Sequence, residues 1–410
     1  MKKIVFVFGC LTTFINLDLT AQNWFHADSI LHHIGYLASE ELNGRGTGTE
    51  GEALAANYII SHFNSWGLNP SGDNGTWKQS FEFSAGMHGQ GGRSGKANNV
   101  IGYLDNQAQF TVVIGGHYDH LGDGNDGHSL DPHSAGQVHN GADDNASGTA
   151  GVLELARYFA TNDEKEPFNF LFMCYSGEEL GLLGSAHFVN NPTIDLSKIT
   201  CMINMDMIGR LKKDKPVLVV SGIGTAPEWD KLLSKFSSTA MVIQKDSSGV
   251  GPSDHSSFYN KGIPVLHFFT GTHSDYHKPS DDIEKINAPG EEAVLMVITG
   301  VIAGLPVDRK LAFLKTRNTS MAGSTSFKVT LGIMPSYAES TTGLKVEAVL
   351  DDKAAFKAGM KDGDVIVKMG KVKVTDIQTY MKGLGQYKKG DSTTVIVERD
   401  GKKIKLDVTF

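Results

Sequence analysis

The fold is decided by one stretch of sequence, FTVVIGGHYDH, at residues 110–120. Its first six residues are mostly apolar, and a run of that length predicts one buried β-strand. Its last four residues are His117, Tyr118, Asp119 and His120, which bring two imidazoles and a carboxylate to the carboxyl end of that strand. In α/β sheets, functional sites form at this edge. The stretch therefore predicts both a central strand and a site beside it.

Strand-like and helix-like segments alternate around this stretch. Apolar runs predict buried strands at residues 99–104, 110–115, 168–175 and 199–205, and residues 147–159 and 181–189 have helical spacing. Thr49 and Glu52 form a capping box before a further amphipathic helix. Residues 67–98 are rich in Gly, Ser and Asn and predict loops. The alternation predicts an α/β domain with a mostly parallel mixed sheet covered by helices.

Residue types that bind metals recur just after these strands. His117, Glu178 and Asp206 each follow a predicted strand by one to four residues, so the three side chains are expected to converge on one edge of the sheet. The Gly141-Ala142-Asp143-Asp144-Asn145 loop and the Asp275-Tyr276-His277 segment add two carboxylates and an imidazole. Imidazole and carboxylate suit zinc, and two zinc ions about 3.5–4 Å apart need one bridging ligand, usually an Asp. The Glu178-Glu179 pair alone would be typical of a solvated helix start. Together with the other motifs, the pair indicates one metal ligand and one general base.

The motifs and their order resemble the co-catalytic two-zinc aminopeptidases, the superfamily that includes glutamate carboxypeptidase and glutaminyl cyclase. The resemblance covers about residues 37–305 and implies a fold of the zinc-exopeptidase type. It implies two zinc ions, held by His117, Asp143, Glu179, Asp206 and His277. Asp143 is expected to bridge, with His117 and Asp206 on one metal and Glu179 and His277 on the other. Glu178 resembles the general base, Asp119 the carboxylate that orients His117, and Tyr276 the hydroxyl that steadies the oxyanion.

Other polar residues near these motifs have less specific interpretations. His120, His128, His133 and His139 lie in a Gly/Asp-rich loop and are expected to face solvent. Asp144 is expected to support its loop, because only one Asp can bridge. Asp254 and His255 are interpreted as structural, or as supports behind the ligands. Gly44-Arg45-Gly46-Thr47-Gly48 looks like a phosphate loop but lacks the preceding strand that such loops require, and it resembles a segment of the family that flanks the cleft.

The alternation fades near Ile302, and a second domain follows. Residues 306–326 predict a linker, and residues 327–410 carry short β-runs with little helix. This small mainly-β domain resembles a PDZ domain through Leu331-Gly332-Ile333-Met334 and the stretch from Ala355 to Ile366. The resemblance implies a groove that holds a C-terminal peptide by β-strand addition. A β-domain that only packs on the enzyme is the alternative.

Composition and the first residues limit the cell compartment and the partners. Residues 1–21 resemble a signal peptide, with Lys2, Lys3, an apolar run and a small-residue cleavage site before Gln22. The protein is therefore expected to be exported, to the periplasm or outside the cell. No transmembrane segment is predicted once the signal peptide is removed. Cys174 and Cys201 lie in apolar runs and are expected to be buried thiols. A net charge of −8 gives no basic face for nucleic acid.

The sequence thus predicts a peptidase domain at residues 22–305, most consistent with an aminopeptidase that acts on peptides with a free N-terminus. Two alternatives remain within the superfamily, a carboxypeptidase and a one-zinc glutaminyl cyclase. A third is a non-catalytic peptide-binding protein built on the same fold. The complete ligand set and Glu178 favour an enzyme with two metals, and the native metal is open among zinc, cobalt and manganese.

Overall fold

The structure is a computed structural model. It describes residues 24–85, 93–125, 128–131, 133–134, 136–238, 240–316, 329–335, 343–349, 353–361, 363–375 and 377–410. The predicted signal peptide, residues 1–21, lies outside the described residues. Within them, none of the helices has the length and apolar character that crossing a membrane requires.

A mixed β-sheet forms the centre of the first domain. Its strands are β1 (Asn69–Pro70), β2 (Lys78–Ala85), β3 (Arg93–Leu104), β4 (Thr111–His117), β5 (Asn169–Tyr175), β6 (Ile199–Met205), β7 (Val217–Ser221), β8 (Val242–Lys245) and β9 (Val265–Phe269). They lie in the order β1-β3-β5-β4-β6-β9-β7-β8, with β2 paired to β3. The central strands β5, β4, β6 and β9 are parallel, and antiparallel pairs flank them on both sides. The predicted α/β fold is confirmed.

Helices cover both faces of this sheet. They are α1 (Ala27–Leu37), α2 (Glu50–Ser65), α3 (Gly148–Thr161), α4 (Leu183–Asn190), α5 (Trp229–Ser234), α6 (His255–Tyr259) and α7 (Ala288–Ala303). The predicted cap of α2 is confirmed, because the Thr49 hydroxyl oxygen accepts the Glu52 N–H at 3.3 Å. The Glu52 carboxylate accepts the N–H of Gly48 at 2.7 Å, one residue before the position expected for a capping box.

Alternate side chains of each central strand enter different cores. On β5, Phe170 and Phe172 pack into the core beneath α1, α2, α3 and α7, whereas Leu171 and Met173 pack into the core beneath α4 and α6. Every residue of β5 is buried, which explains why its sequence reads as a continuous apolar run. Burying one such side chain contributes roughly 1.5–3 kcal/mol. Cys174 and Cys201 are buried free thiols, as predicted.

The prediction of loops across residues 67–98 is wrong for residues 78–85 and 93–98, which lie in strands. β2 and the start of β3 form an antiparallel hairpin with paired residues from Lys78↔Val100 to Ala85↔Arg93. Phe81 and Phe83 alternate along β2 and are buried with Ala97 beneath Leu180 and Leu183. Two aromatic residues at a spacing of two were too short a pattern to outweigh the surrounding Gly, Ser and Asn.

The described part of the predicted linker packs on the first domain. Leu311 is buried in the main core, and its N–H donates to the Thr200 hydroxyl at 3.1 Å. The N–H of Leu314 donates to the Thr225 carbonyl at 2.8 Å, and the Thr316 hydroxyl lies 2.9 Å from that of Tyr259. The first domain therefore extends to Thr316, beyond the predicted boundary at 305.

The second domain is a small antiparallel sheet with its own core. It contains β10 (Ile333–Pro335), β11 (Leu344–Val349), β12 (Val365–Met369), β13 (Val372–Lys373), β14 (Ser392–Arg399) and β15 (Lys402–Thr409), with α8 (Ala354–Lys357) and α9 (Ile377–Leu384). The strand order is β10-β11-β12-β14-β15, and β13 pairs with β12. Buried Asp364 receives two hydrogen bonds from Arg399, at 2.6 and 2.7 Å. The predicted mainly-β domain is confirmed.

Candidate metal centre

Three neighbouring strands deliver polar residues to one edge of the sheet. β4 lies between β5 and β6, and all three are parallel. His117 is the last residue of β4, Glu178 lies three residues after β5, and Asp206 directly follows β6. The prediction that these three ends converge is confirmed, because the side chains of Glu178 and Asp206 both come within 4.0 Å of His117.

One group of potential ligands surrounds His117. Its Nε2 atom lies 3.4 Å from Asp144 Oδ1 and 3.7 Å from Asp206 Oδ1. One donor atom from each of His117, Asp144 and Asp206 fits within 4.8 Å of the others. Glu178 is adjacent, with Oε2 4.0 Å from His117 Nε2, and it is not a member of this group.

A second group surrounds Glu179. Its Oε2 atom lies 3.0 Å from His277 Nε2, and its Oε1 atom lies 2.7 Å from His120 Nδ1. Asp144 Oδ2 lies 3.2 Å from the same nitrogen of His277. Donor atoms of His120, Asp144 and Glu179 also fit within 4.8 Å of one another. The other ring nitrogen of His277, Nδ1, lies 3.2 Å from the carbonyl oxygen of His128, and this contact fixes the orientation of the ring.

The carboxylate that both groups share is Asp144, and the prediction of Asp143 is wrong on this geometry. Asp144 directs one oxygen to His117 and the other to His277. Asp143 points elsewhere, since its Oδ1 accepts the Gly209 N–H at 2.7 Å and its Oδ2 lies 3.1 Å from His273 Nε2. The expectation that Asp144 only supports its loop is wrong for the same reason.

Distant residues determine which aspartate faces the cluster. Asp281 Oδ2 accepts the backbone N–H groups of both Asp143 and Asp144 at 3.0 Å. Asn145 Oδ1 accepts the N–H of Met207 at 3.1 Å and that of Gly148 at 2.9 Å. These bonds fix the backbone of the loop from two sides and direct the Asp144 side chain into the cluster. Nothing local in the sequence marks Asp281 for this role.

Asp119 contacts three parts of the site. Its Oδ1 lies 3.6 Å from His117 Nδ1 and accepts the Glu178 N–H at 3.2 Å. Its Oδ2 accepts the Thr47 hydroxyl at 2.8 Å. The Asp119 carbonyl is nearer to His117 Nδ1 than the carboxylate is, at 3.2 Å. Asp119 therefore supports His117 through both its backbone and its side chain.

The remaining predicted residues lie around the cluster. The Tyr276 ring stacks on His277, with centroids 3.9 Å apart. His120 and His139 are buried, so the expectation that they face solvent is wrong, whereas His133 is exposed as expected. Asp254 and His255 are fully buried, and the His255 ring stacks on His267 at 4.4 Å.

The ionisable groups in this cluster shift one another's pKa values. Burial disfavours charge on His117, but Glu178, Asp119, Asp144 and Asp206 outweigh it and hold the His117 pKa well above its usual value. Burial, opposed by His117 and reinforced by the nearby carboxylates, raises the pKa of Glu178 well above its usual range. Glu179 is also buried, but His277 outweighs this and lowers its pKa to about 2. Carboxylates in close contact favour a bound cation.

One imidazole nitrogen of the cluster is better placed for a metal than for a hydrogen bond. His277 Nε2 is buried beside two carboxylate oxygens and yet forms no hydrogen bond among the described residues. An imidazole nitrogen that faces carboxylate oxygens without hydrogen-bond geometry is in a position that suits a metal ligand. Imidazole and carboxylate in each group match the preference of zinc. The residues therefore form two donor groups that share Asp144, and each group suits a metal ion.

Comparisons with known proteins agree with this fold. Residues 99–302 match the model of peptidase family M28, and residues 329–410 match that of the PDZ domain. The chain is 31% identical to aminopeptidase YwaD of Bacillus subtilis over 157 residues, which are 36% of this chain and 34% of that protein. The chain spans about half the length of most curated relatives it matches.

Solved structures show the same fold at low sequence identity. A Zn-dependent exopeptidase from Parabacteroides distasonis superposes with a TM-score of 0.54 at 18% identity, covering 68% of this chain and 99% of that one. Glutaminyl cyclase of Porphyromonas gingivalis superposes with a TM-score of 0.53 at 18% identity, covering 68% and 98%.

Proposed function

Because residues 99–302 form a peptidase family M28 domain, we propose that the protein is an exported two-zinc aminopeptidase that releases N-terminal residues from peptides. The observation that carries the proposal is the pair of donor groups sharing Asp144, with Glu178 beside one of them. Aminopeptidase activity is favoured over other peptidase activities by the relatives that bear this name.

The proposed ligands are distributed around Asp144. His117 and Asp206 would hold one ion, Glu179 and His277 the other, and Asp144 both. His120 lies close enough to Glu179 to orient it. Asp143, expected from the sequence to bridge, has no place in this set. Zinc in these positions would supply Lewis acidity, which polarises a carbonyl and makes water a stronger acid.

The protein's own groups then carry the proton. Glu178 accepts a proton from the attacking water and passes it to the leaving amine, the usual work of a carboxylate base. Its side chain retains 11% exposure, so a substrate can reach it, whereas Asp119 beside it is fully buried. Asp119 keeps His117 oriented through Nδ1, and the Tyr276 hydroxyl donates to the developing oxyanion.

The proposal is tested on a panel of substrates. Aminoacyl anilides and peptides amidated at the C-terminus should be hydrolysed, whereas N-acetylated peptides should not. A chelator should abolish hydrolysis, and zinc should restore it with two ions per chain by elemental analysis. Cleavage of N-acetylated peptides from the C-terminus would indicate a carboxypeptidase. Cyclisation of N-terminal glutamine with one zinc per chain would indicate a cyclase. Two bound ions with no turnover would indicate a binding protein.

Export rests on residues 1–21, which lie outside the described residues. The mature protein is expected outside the cytoplasm, with Gln22 as its first residue. N-terminal sequencing of protein from the periplasm or the medium checks this, and an intact Met1 or a lipid on Cys10 would contradict it.

The PDZ domain is proposed to hold the C-terminus of longer substrates. The loop before β10 contains Gly332 at φ +74°, where a Cβ would lie 2.0 Å from the Lys353 Cβ. The Gly332 N–H donates to the Thr330 hydroxyl at 3.0 Å. A bound carboxylate would therefore have to share or replace that bond.

Removal of residues 327–410 tests this role. Every proposed zinc ligand lies before Leu305, and each domain has a core of its own. We therefore expect kcat/KM for a short anilide to be largely unchanged, while kcat/KM for a long peptide falls. A long peptide amidated at its C-terminus is the control, and it should show a smaller fall. An equal large loss on short and long substrates would instead indicate that the domain shapes the catalytic cleft.

A further inference from the structure

The segment Gly44-Arg45-Gly46-Thr47-Gly48 lies against the metal centre and outside the matched peptidase model. Arg45 is fully buried, and its guanidinium donates to four backbone carbonyls. The acceptors are Tyr118 at 2.9 Å, Asn140 at 2.8 Å, Gly141 at 3.1 Å and Leu37. A buried charge is costly unless it is hydrogen-bonded, and these four bonds provide that compensation for Arg45.

Three of these carbonyls belong to the two loops that carry proposed ligands, and the fourth, that of Leu37, lies at the end of α1. Tyr118 lies between His117 and Asp119, and Gly141 lies three residues before Asp144. One planar guanidinium therefore connects the loop after β4 with the loop that contains the shared carboxylate. Arginine suits this task because its donors have fixed directions.

The backbone around Arg45 strengthens the connection. The His120 N–H donates to the Arg45 carbonyl at 3.1 Å, and the Gly122 N–H donates to the Gly44 carbonyl at 2.9 Å. Gly44 has φ +66°, and a Cβ there would lie 2.4 Å from the Gly122 carbonyl oxygen. Only glycine allows this close approach.

Thr47 acts on the same loop through a side chain. Its hydroxyl donates to Asp119 Oδ2, while Asp119 Oδ1 faces His117 Nδ1 and accepts the Glu178 N–H. Thr47 thus fixes a carboxylate that contacts both a proposed ligand and the residue proposed as the base.

We propose that Arg45 and Thr47 are positioning residues of the metal centre. Arg45 sets the separation of the His117 loop and the Asp144 loop, and Thr47 sets the orientation of Asp119. This inference rests on the proposed function, because it assumes that His117 and Asp144 bind metal. Residues that orient metal ligands typically contribute about 10–100-fold to metal affinity or activity.

The test uses Arg45→Lys, Arg45→Met and Thr47→Val in the full chain. Lysine keeps the charge but cannot reach carbonyls on both loops, and valine keeps the shape of threonine without its hydroxyl. Arg157→Met is the matched control, because Arg157 also donates to a backbone carbonyl, that of Trp24, and to Glu154, away from the cluster. Zinc affinity is measured by competition with a chromogenic chelator, beside the melting temperature and kcat.

We expect Arg45→Lys and Thr47→Val to bind zinc about 10–100-fold more weakly or to lose kcat by that factor. Arg157→Met should lower the melting temperature and leave zinc affinity unchanged. If Arg45→Met does not fold, the other two variants still decide the matter. Wild-type zinc affinity and kcat in both would overturn the inference. Failure of the wild type to bind zinc would instead overturn the proposed function.

Discussion

Glu178→Gln should bind zinc as the wild type does and lose about 10²–10⁴-fold in kcat, the usual contribution of general acid–base catalysis. Glutamine has nearly the same shape as glutamate but cannot hold the proton. Glu178 belongs to neither group of donor atoms, and its oxygen is 4.0 Å from His117 Nε2. Its backbone N–H, which donates to Asp119, is unaffected by the substitution.

Glu179→Gln is the matched variant, because it makes the same chemical change one residue away. Glu179 contacts His277 with one oxygen and His120 with the other, at 3.0 and 2.7 Å. An amide offers only one oxygen to these two partners, so we expect zinc content to fall. Elemental analysis and single-turnover kinetics of both variants measure these effects. If Glu178→Gln loses zinc while Glu179→Gln retains it, Glu178 is the metal ligand and Glu179 is the general base.

Local pattern was sufficient to predict the strands that carry the site. β6 begins and ends at the predicted residues, and β4 and β5 differ from prediction by at most two residues at each end. These strands are buried on both faces, so their sequences are apolar throughout and their ends are marked by polar residues. His117 ends β4, Glu178 lies three residues after β5 and Asp206 directly follows β6, and their convergence was predicted from these strand ends.

The choice between Asp143 and Asp144 could not be made from local pattern. Two adjacent aspartates have the same chemistry, and the Asp143 side chain is held away from the cluster by Gly209 and His273, which are distant in sequence. The buried position of His120 was missed for a related reason. Its ring lies against Glu179, and a Gly/Asp-rich loop is normally exposed.

The role of Arg45 was missed because its four acceptors are backbone carbonyls, and that of Thr47 because its partner Asp119 is 72 residues away in sequence. A side chain that binds carbonyls of remote loops imposes no residue type on its partners, so the sequence contains no complementary signal. The glycines on either side suggested a phosphate loop instead. In the structure, the absence of a side chain at Gly44 allows its backbone to pack closely against the Gly122 carbonyl.

Asp144→Asn and Asp143→Asn should differ sharply in zinc content and in kcat/KM. The comparison decides whether Asp144, as in the structure, or Asp143, as expected from the sequence, is the bridging ligand. Asp144 contacts His117 with one oxygen and His277 with the other. Asparagine keeps one oxygen and replaces the second with an N–H₂ group, which cannot bind a cation. We expect Asp144→Asn to lose at least one zinc and more than about 100-fold in kcat/KM, beyond the effect typical of residues that only orient ligands.

Asp143→Asn makes the same chemical change on a side chain that faces away from the cluster. Asparagine can still accept the Gly209 N–H through its oxygen, and it loses only the acceptor beside His273. A buried hydrogen bond lost in this way costs about 1–3 kcal/mol. Asp143→Asn should therefore lower the melting temperature while both zinc ions remain bound. Elemental analysis, thermal denaturation and kcat/KM on one anilide compare the two variants. If Asp143→Asn loses zinc and Asp144→Asn retains both ions, Asp143 is the bridging ligand and the arrangement around Asp144 is not that of the working enzyme.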